Sequence, residues 1–178
     1  HIKEKVNRIY GIDVPVVYPG VDQFWYESPS NEELEEVKRK YSLKEEYVIS
    51  YGRLYDHKRV DVSISACIKA KTHLYVIGDG PDLGYLKKIA KGHDYIHFLG
   101  HINDSELRAM ISMSKAFIFP ALEDFGYVTV EAQAQGIPAF VLNKGGSIEI
   151  VKEGITGAFF KTEDELVNLI SKKTWTMY

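Results

Sequence analysis

The chain has 178 residues, 45% of them hydrophobic and 26% charged, with a formal net charge of −3. This is one domain's length with enough apolar material for a real core, which excludes a disordered chain or a stapled mini-protein. The acidic balance argues against a nucleic-acid partner, the single cysteine (Cys67) excludes an internal disulfide or a cysteine zinc cluster, and no apolar run is long enough to span a membrane as a helix.

The chain begins at His1 without an apolar signal stretch, and is expected to be a piece of a longer protein. Residues 1–10 read as helical, 14–18 as β-like, Pro19-Gly20 as a turn and 31–41 as a charged helix. This leading region, 1–46, is expected either to link to another domain or to pack on a sheet edge. From residue 47 short apolar runs alternate with helical stretches. Residues 47–51 (YVISY) form a buried-strand run that stops at Gly52. Residues 58–70 follow as a helix, with Val60, Ile64, Cys67 and Ile68 at helical spacing. Strands are then predicted at 73–77, 96–99, 116–119, 139–142 and 157–160. Helices are predicted at 83–90, 104–113, 127–135, 147–151 and from Thr162 to about residue 171. Asn103 with Glu106 three residues on has the form of a capping box, and Gly136-Ile137-Pro138 stops a helix. Strand and helix alternating at this rate predict an α/β fold, a doubly wound parallel sheet with helices on both faces.

In such a sheet, ligands bind beyond the carboxyl ends of the strands. The segments expected there are 52–58, 78–81, 100–103 and 120–127. The first carries two cations, Arg53 at a strand end and Lys58 at a helix start. An unpaired cation opposes the dipole of a helix start, whereas Arg and Lys together can hold a diphosphate without a metal. The spacing is equally that of a solvated loop with two surface cations. Gly78-x-Gly80-x-x-x-Gly84 resembles a dinucleotide fingerprint, but the next strand ends Phe98-Leu99-Gly100-His101 with no acid for a ribose. Pro81 also suits a tight turn, which is the preferred reading.

Glu123 and Glu131 are separated by seven residues, the first in a loop after a strand and the second on the following helix. Between them Phe125-Gly126-Tyr127 leads into that helix, whose free amides can bind an anion while Gly126 lets a ligand approach closely. The alternative is a loop acid and a solvated helical one. Against it, Glu131 sits among Val128, Val130, Ala132 and Ala134, an apolar setting for an unpaired charge. Asp124-Phe125-Gly126 spells the kinase metal triplet, but the accompanying His-Arg-Asp and Ala-Pro-Glu are missing. The histidines do not fall at metal spacing on one helix, and His93 and His97 straddle a strand start. His57, beside Lys58, faces either the ligand or solvent, and Cys67 belongs to a helix's core stripe.

These stretches together resemble a known family. VVYPGVD (16–22), YGRLYDHKRVD (51–61), VIGDGP (76–81), FLGHINDSEL (98–107), FPALEDFGYVTVEAQAQGIP (119–138) and GGSIEIVKEGITG (145–157) are similar, in order, to the C-terminal half of retaining GT-B glycosyltransferases of family 4, glycosyltransferases group 1. The mannosyltransferase branch of polysaccharide and lipopolysaccharide assembly is the nearest match. The resemblance implies a Rossmann-like domain over 47–178 that binds a nucleotide-sugar, GDP-mannose before a UDP-sugar, with no other cofactor and no metal. Arg53 and Lys58 match the basic pair on the donor diphosphate, with Gly52 beside them. Glu123 and Glu131 match the two acids of the E-x7-E motif, on the transferred sugar and the ribose respectively. Phe125, Gly126 and Tyr127 match the backbone against sugar and phosphates, Gly100, His101 and Ile102 the base-binding edge, and Gly145 and Gly146 a glycine pair near the donor. Asp124 stands where the family usually has glycine. The resemblance also implies that residues 1–46 are a hinge and the start of the C-terminal half, and that an N-terminal Rossmann domain holding the acceptor site is absent. It implies a cytoplasmic location, at the inner membrane face where that other domain binds lipid. The other readings are a sugar-nucleotide epimerase of the same architecture and a non-catalytic flavodoxin-like module.

Overall fold

A computed structural model describes all residues, His1–Tyr178. Six strands form a single sheet: β1 (Val48–Tyr51), β2 (Leu74–Ile77), β3 (Ile96–Gly100), β4 (Phe117–Phe119), β5 (Ala139–Leu142) and β6 (Gly157–Phe160). Their order is β3-β2-β1-β4-β5-β6, and every neighbouring pair is parallel. The doubly wound parallel sheet expected from the alternation is therefore present. The order reverses between β1 and β4, so the chain leaves these two adjacent strands toward opposite edges and opens a crevice beyond their carboxyl ends.

Strand alternation builds two cores. Ile49, Tyr51, Tyr75, Ile77, Phe117 and Phe119 face one side; Val48, Leu74, Val76, Ile118, Phe140 and Phe160 face the other. With both faces covered, the strands are almost uniformly apolar rather than alternating with polar residues. The second side is covered by α3 (Val60–Ala70), α4 (Leu83–Ile89) and α8 (Glu163–Ser171), and Cys67 of α3 is fully buried there. The first is covered by α2 (Asn31–Tyr41), α5 (Asp104–Met113) and α6 (Tyr127–Ala134). No helix is long and apolar enough to cross a membrane.

Local signals explain the helix starts. Asn103 accepts from the Glu106 amide at 2.9 Å, but the Glu106 carboxylate turns to Lys40 and Tyr41, so that capping box is half closed. Ser30 and Glu33 close a complete box, and Thr162 accepts from the Glu165 amide. Such caps contribute about 1 kcal/mol each.

The leading region divides in two. Trp25, in a 3-10 turn over Gln23–Tyr26, and Val37 of α2 are core residues, so 23–41 belongs to the body of the fold. The buried Arg108 of α5 clasps this part: its guanidinium donates to the Phe24 carbonyl at 3.1 Å, lies 4.1 Å from the Phe24 ring centre and pairs with Glu33. The segment 14–18, expected to be β-like, forms no strand. Pro15 and Pro19 remove two backbone donors, and no strand of the sheet lies alongside it. With α1 (Ile2–Tyr10) it lies instead against the loop after β4 and the short helix α7 (Ser147–Ile150) after β5: Lys5 reaches Asp124 at 2.9 Å, and the Tyr18 hydroxyl donates to Glu149 of α7 at 2.8 Å.

Candidate functional site

The crevice at the β1–β4 reversal has two connected compartments. One, of about 240 Å³, is lined by Tyr51, Gly52, Arg53 and Lys58 from the β1 side and by Phe119, Glu123 and Tyr127 from the β4 side. The other, of about 370 Å³, shares Tyr51, Gly52 and Arg53 and runs past Gly78 and Asp79 to His101, Ile102 and Asp104. Residues distant in the chain are therefore gathered along one trough, with Gly52-Arg53 at its middle.

Lys58 and Glu123 form an ion pair across the first compartment. Burial, and then the neighbouring Arg53 guanidinium, push the Lys58 ammonium below its ordinary value. Lys58 is not in the first turn of α3 as the spacing suggested. It closes a 3-10 turn, Asp56–Lys58, and Arg59 follows in the left-handed region at φ 53° before the helix begins at Val60. The cation thus reaches the crevice from a tight turn rather than along a helix axis.

Glu131 lies behind Tyr51. The Tyr51 hydroxyl donates to the Val128 carbonyl at 2.7 Å and is 3.4 Å from the Glu131 carboxylate. Burial raises the Glu131 carboxyl above its ordinary value, the Tyr51 hydroxyl lowers it, and the charge of Asp104 raises it. Burial thus desolvates this acid, but its side chain lies behind Tyr51 and lines neither compartment of the trough.

The remaining expected residues take differing places. Gly126 precedes α6 at φ 96°, a conformation that favours glycine, and Tyr127 is exposed in the crevice wall. Phe125 lines the neighbouring hollow beneath α1, together with Tyr18 and Glu149. Gly100 ends β3 ahead of the exposed His101 and the buried Ile102. Gly145 and Gly146 back the acidic loop rather than line the trough: the Gly146 amide donates to the Glu123 carbonyl at 2.7 Å, and a Cβ on Gly146 would stand 2.3 Å from the Asp124 carbonyl oxygen. Asp124 turns away from the crevice to Lys5. His73 and His97 form a stacked pair, Nδ1 to Nε2 3.1 Å, at the amino end of the strands and outside the trough.

Residues 16–173 match the family model described as glycosyl transferases group 1. The chain belongs to this family. A GDP-mannose-dependent alpha-mannosyltransferase of Corynebacterium glutamicum is 29% identical over 127 residues, which are 71% of this chain and 30% of the relative. The crystal structure of Anabaena HepE in complex with UDP shares the fold with TM-score 0.77 at 23% identity, over 92% of this chain and 50% of that one. The C-terminal domain of LpcC, a group 1 family protein of Francisella tularensis, has TM-score 0.71 at 23% identity, over 89% of this chain and 91% of that one. The group 1 chain described here spans less than half the length of the curated relatives it matches. It corresponds to nearly the whole of the LpcC domain.

Tyr51 is the site residue that the sequence reading took only as part of a strand. The available signal was a hydroxyl on the last residue of an otherwise apolar strand, at the end where ligands bind. Tyr51→Phe removes the bond that favours the charged form of Glu131 and leaves a buried carbonyl with one partner fewer. A loss of about 1 kcal/mol of stability is expected. Since the Tyr51 hydroxyl lowers the Glu131 carboxyl, Glu131 should titrate at higher pH in the variant. Titrations across the acid range compare the two.

Proposed function

We propose that this group 1 chain is the donor-binding half of a metal-independent, retaining glycosyltransferase that moves a hexose from a nucleotide-sugar to a glycan or lipid-linked acceptor. Mannose from GDP-mannose is the favoured donor, with a UDP-sugar as the second candidate. The observation that carries this reading is the convergence of Arg53, Lys58 and Glu123 in one crevice, with Glu131 held behind Tyr51. The mannosyltransferase relative supports GDP-mannose; the likeness to UDP-bound HepE keeps the UDP-sugar in play. In this reading residues 1–46 hold the hinge to an acceptor domain and the start of this half, and that domain sits at the cytoplasmic face of a membrane.

The chemistry follows from the charges. Breaking the bond between the anomeric carbon and the phosphate oxygen leaves both bonding electrons on the diphosphate. Arg53, Lys58 and the free amides at the start of α6 meet that charge where it develops. Glu123 accepts from hydroxyls of the hexose, Glu131 from those of the ribose, and the backbone around His101 and Ile102 borders the base. An epimerase of this architecture gives no reason for the Glu123/Glu131 spacing, and a flavodoxin-like binding module needs neither these acids nor the two cations.

Calorimetric titration of the chain with GDP, UDP, GDP-mannose, UDP-glucose and the bare nucleosides tests the proposal. Diphosphate-containing ligands should bind and nucleosides should bind far more weakly. No binding by any of the diphosphates would overturn it, and preference for one base selects the donor.

A further inference from the structure

The Lys58–Glu123 ion pair occupies the position where the proposed donor diphosphate would find one of its two cations. Only about a fifth of either side chain is exposed, 19% for Lys58 and 22% for Glu123. We infer, building on the donor-site reading, that Glu123 is a displaceable counter-ion that makes the crevice prefer an intact nucleotide-sugar over the spent nucleoside diphosphate.

A diphosphate that takes Lys58 must evict the Glu123 carboxylate. The backbone under that carboxylate does not move readily: the Glu123 carbonyl accepts from Gly146, and a Cβ on Gly145 would stand 2.5 Å from that carbonyl oxygen. Displacement is therefore a side-chain rotation, and the released acid needs new donors. The crevice offers few. Tyr51 is committed to Val128 and Glu131, and Val60, Phe119 and Val128 are apolar. Arg53 in the same compartment is taken by the diphosphate in the donor-site reading, which leaves the Ser50 and Tyr127 hydroxyls. A half-desolvated carboxylate short of partners is costly. A hexose on the diphosphate supplies hydroxyls at that point and offsets the cost; a nucleoside diphosphate supplies none. After transfer, Glu123 again competes for Lys58 and helps to expel the product.

The test uses Glu123→Gln, which keeps the side chain's shape and removes its charge. Binding of GDP, UDP and inorganic pyrophosphate should tighten about fivefold, since a competing anion is lost. Binding of the nucleotide-sugar should not tighten, because a hydroxyl acceptor has been weakened, so the preference for sugar nucleotide over nucleoside diphosphate should shrink by several fold. Unchanged or weaker pyrophosphate and diphosphate binding in the variant would overturn the inference. A wild-type chain that binds pyrophosphate but no nucleotide would count against the donor-site reading instead, and the pyrophosphate comparison would still decide whether Glu123 competes for Lys58.

Discussion

Changing Arg53 and Lys58 together to alanine should weaken binding of GDP and UDP by about 100-fold to 10,000-fold, because hydrogen bonds to charged groups contribute about 1.5–3 kcal/mol each and two such donors are lost. Fold stability should fall by about 1–3 kcal/mol, because Glu123, only 22% exposed, loses its cation while the rest of the change is mild. Arg53 is exposed and makes no ion pair, only a contact with the Tyr55 ring, and Lys58 sits on a turn with its ammonium in the crevice. The double change does leave Glu123 without its cation. That raises the electrostatic penalty on an incoming diphosphate, but Lys58→Ala alone already carries it, so the two single losses should roughly add. Adding Glu123→Gln to the double variant should recover part of the affinity. Calorimetry with the wild type, the two single variants, the double and the triple variant measures both effects, and binding that survives the double change intact would remove the diphosphate from this crevice.

What was legible in the sequence was whatever is encoded locally. Buried strands such as FIF at Phe117–Phe119 and AFVL at Ala139–Leu142 are short apolar runs bounded by polar or turn residues, and the helices between them show their spacing within ten residues or so. Several elements fall on the expected residues: α2 and α5 at both ends, and β5 and β6 likewise. The loop-and-helix placement of Glu123 and Glu131 was legible for the same reason, but not that Glu131 would lie behind Tyr51, outside the lining of the trough. Contacts between distant residues left no local mark. Arg108 and Phe24 are 84 positions apart, and Tyr51 and Glu131 are 80 apart. A buried arginine on a helix reads as a surface cation until its partners are placed. The segment 14–18 failed in the opposite sense: its valines and tyrosine have β propensity, but propensity forms no strand where no ladder is offered.

The glycines after β2 show how a motif resolves once distances are available, and they make the second large prediction. Gly78→Ala should lower stability by about 2–5 kcal/mol, combining backbone strain with overpacking. Gly78 has φ 123°, and a Cβ there would stand 1.9 Å from the Gly52 carbonyl oxygen, a backbone atom that cannot swing aside. Gly80 is similarly close to the Leu54 carbonyl, at 2.3 Å. The chain needs this closeness because the strand-end loops are knitted together: Gly52 donates to Ile77, Gly78 to Gly100, and Leu54 to Asp79. Pushing Gly52 away moves Arg53 with it, so nucleotide affinity should fall at temperatures well below the melting point. The glycine that would complete a dinucleotide fingerprint behaves differently. Gly84 lies in α4, has no positive φ, and a Cβ there meets nothing within 4 Å. Gly84→Ala should therefore be neutral or stabilise by up to about 1 kcal/mol, the helix-propensity difference. Melting curves of the two alanine variants separate a glycine pattern that packs loops under a donor site from one that cradles a dinucleotide against a helix. In the second case Gly84, needed for close helix–strand packing, would be as intolerant as Gly78.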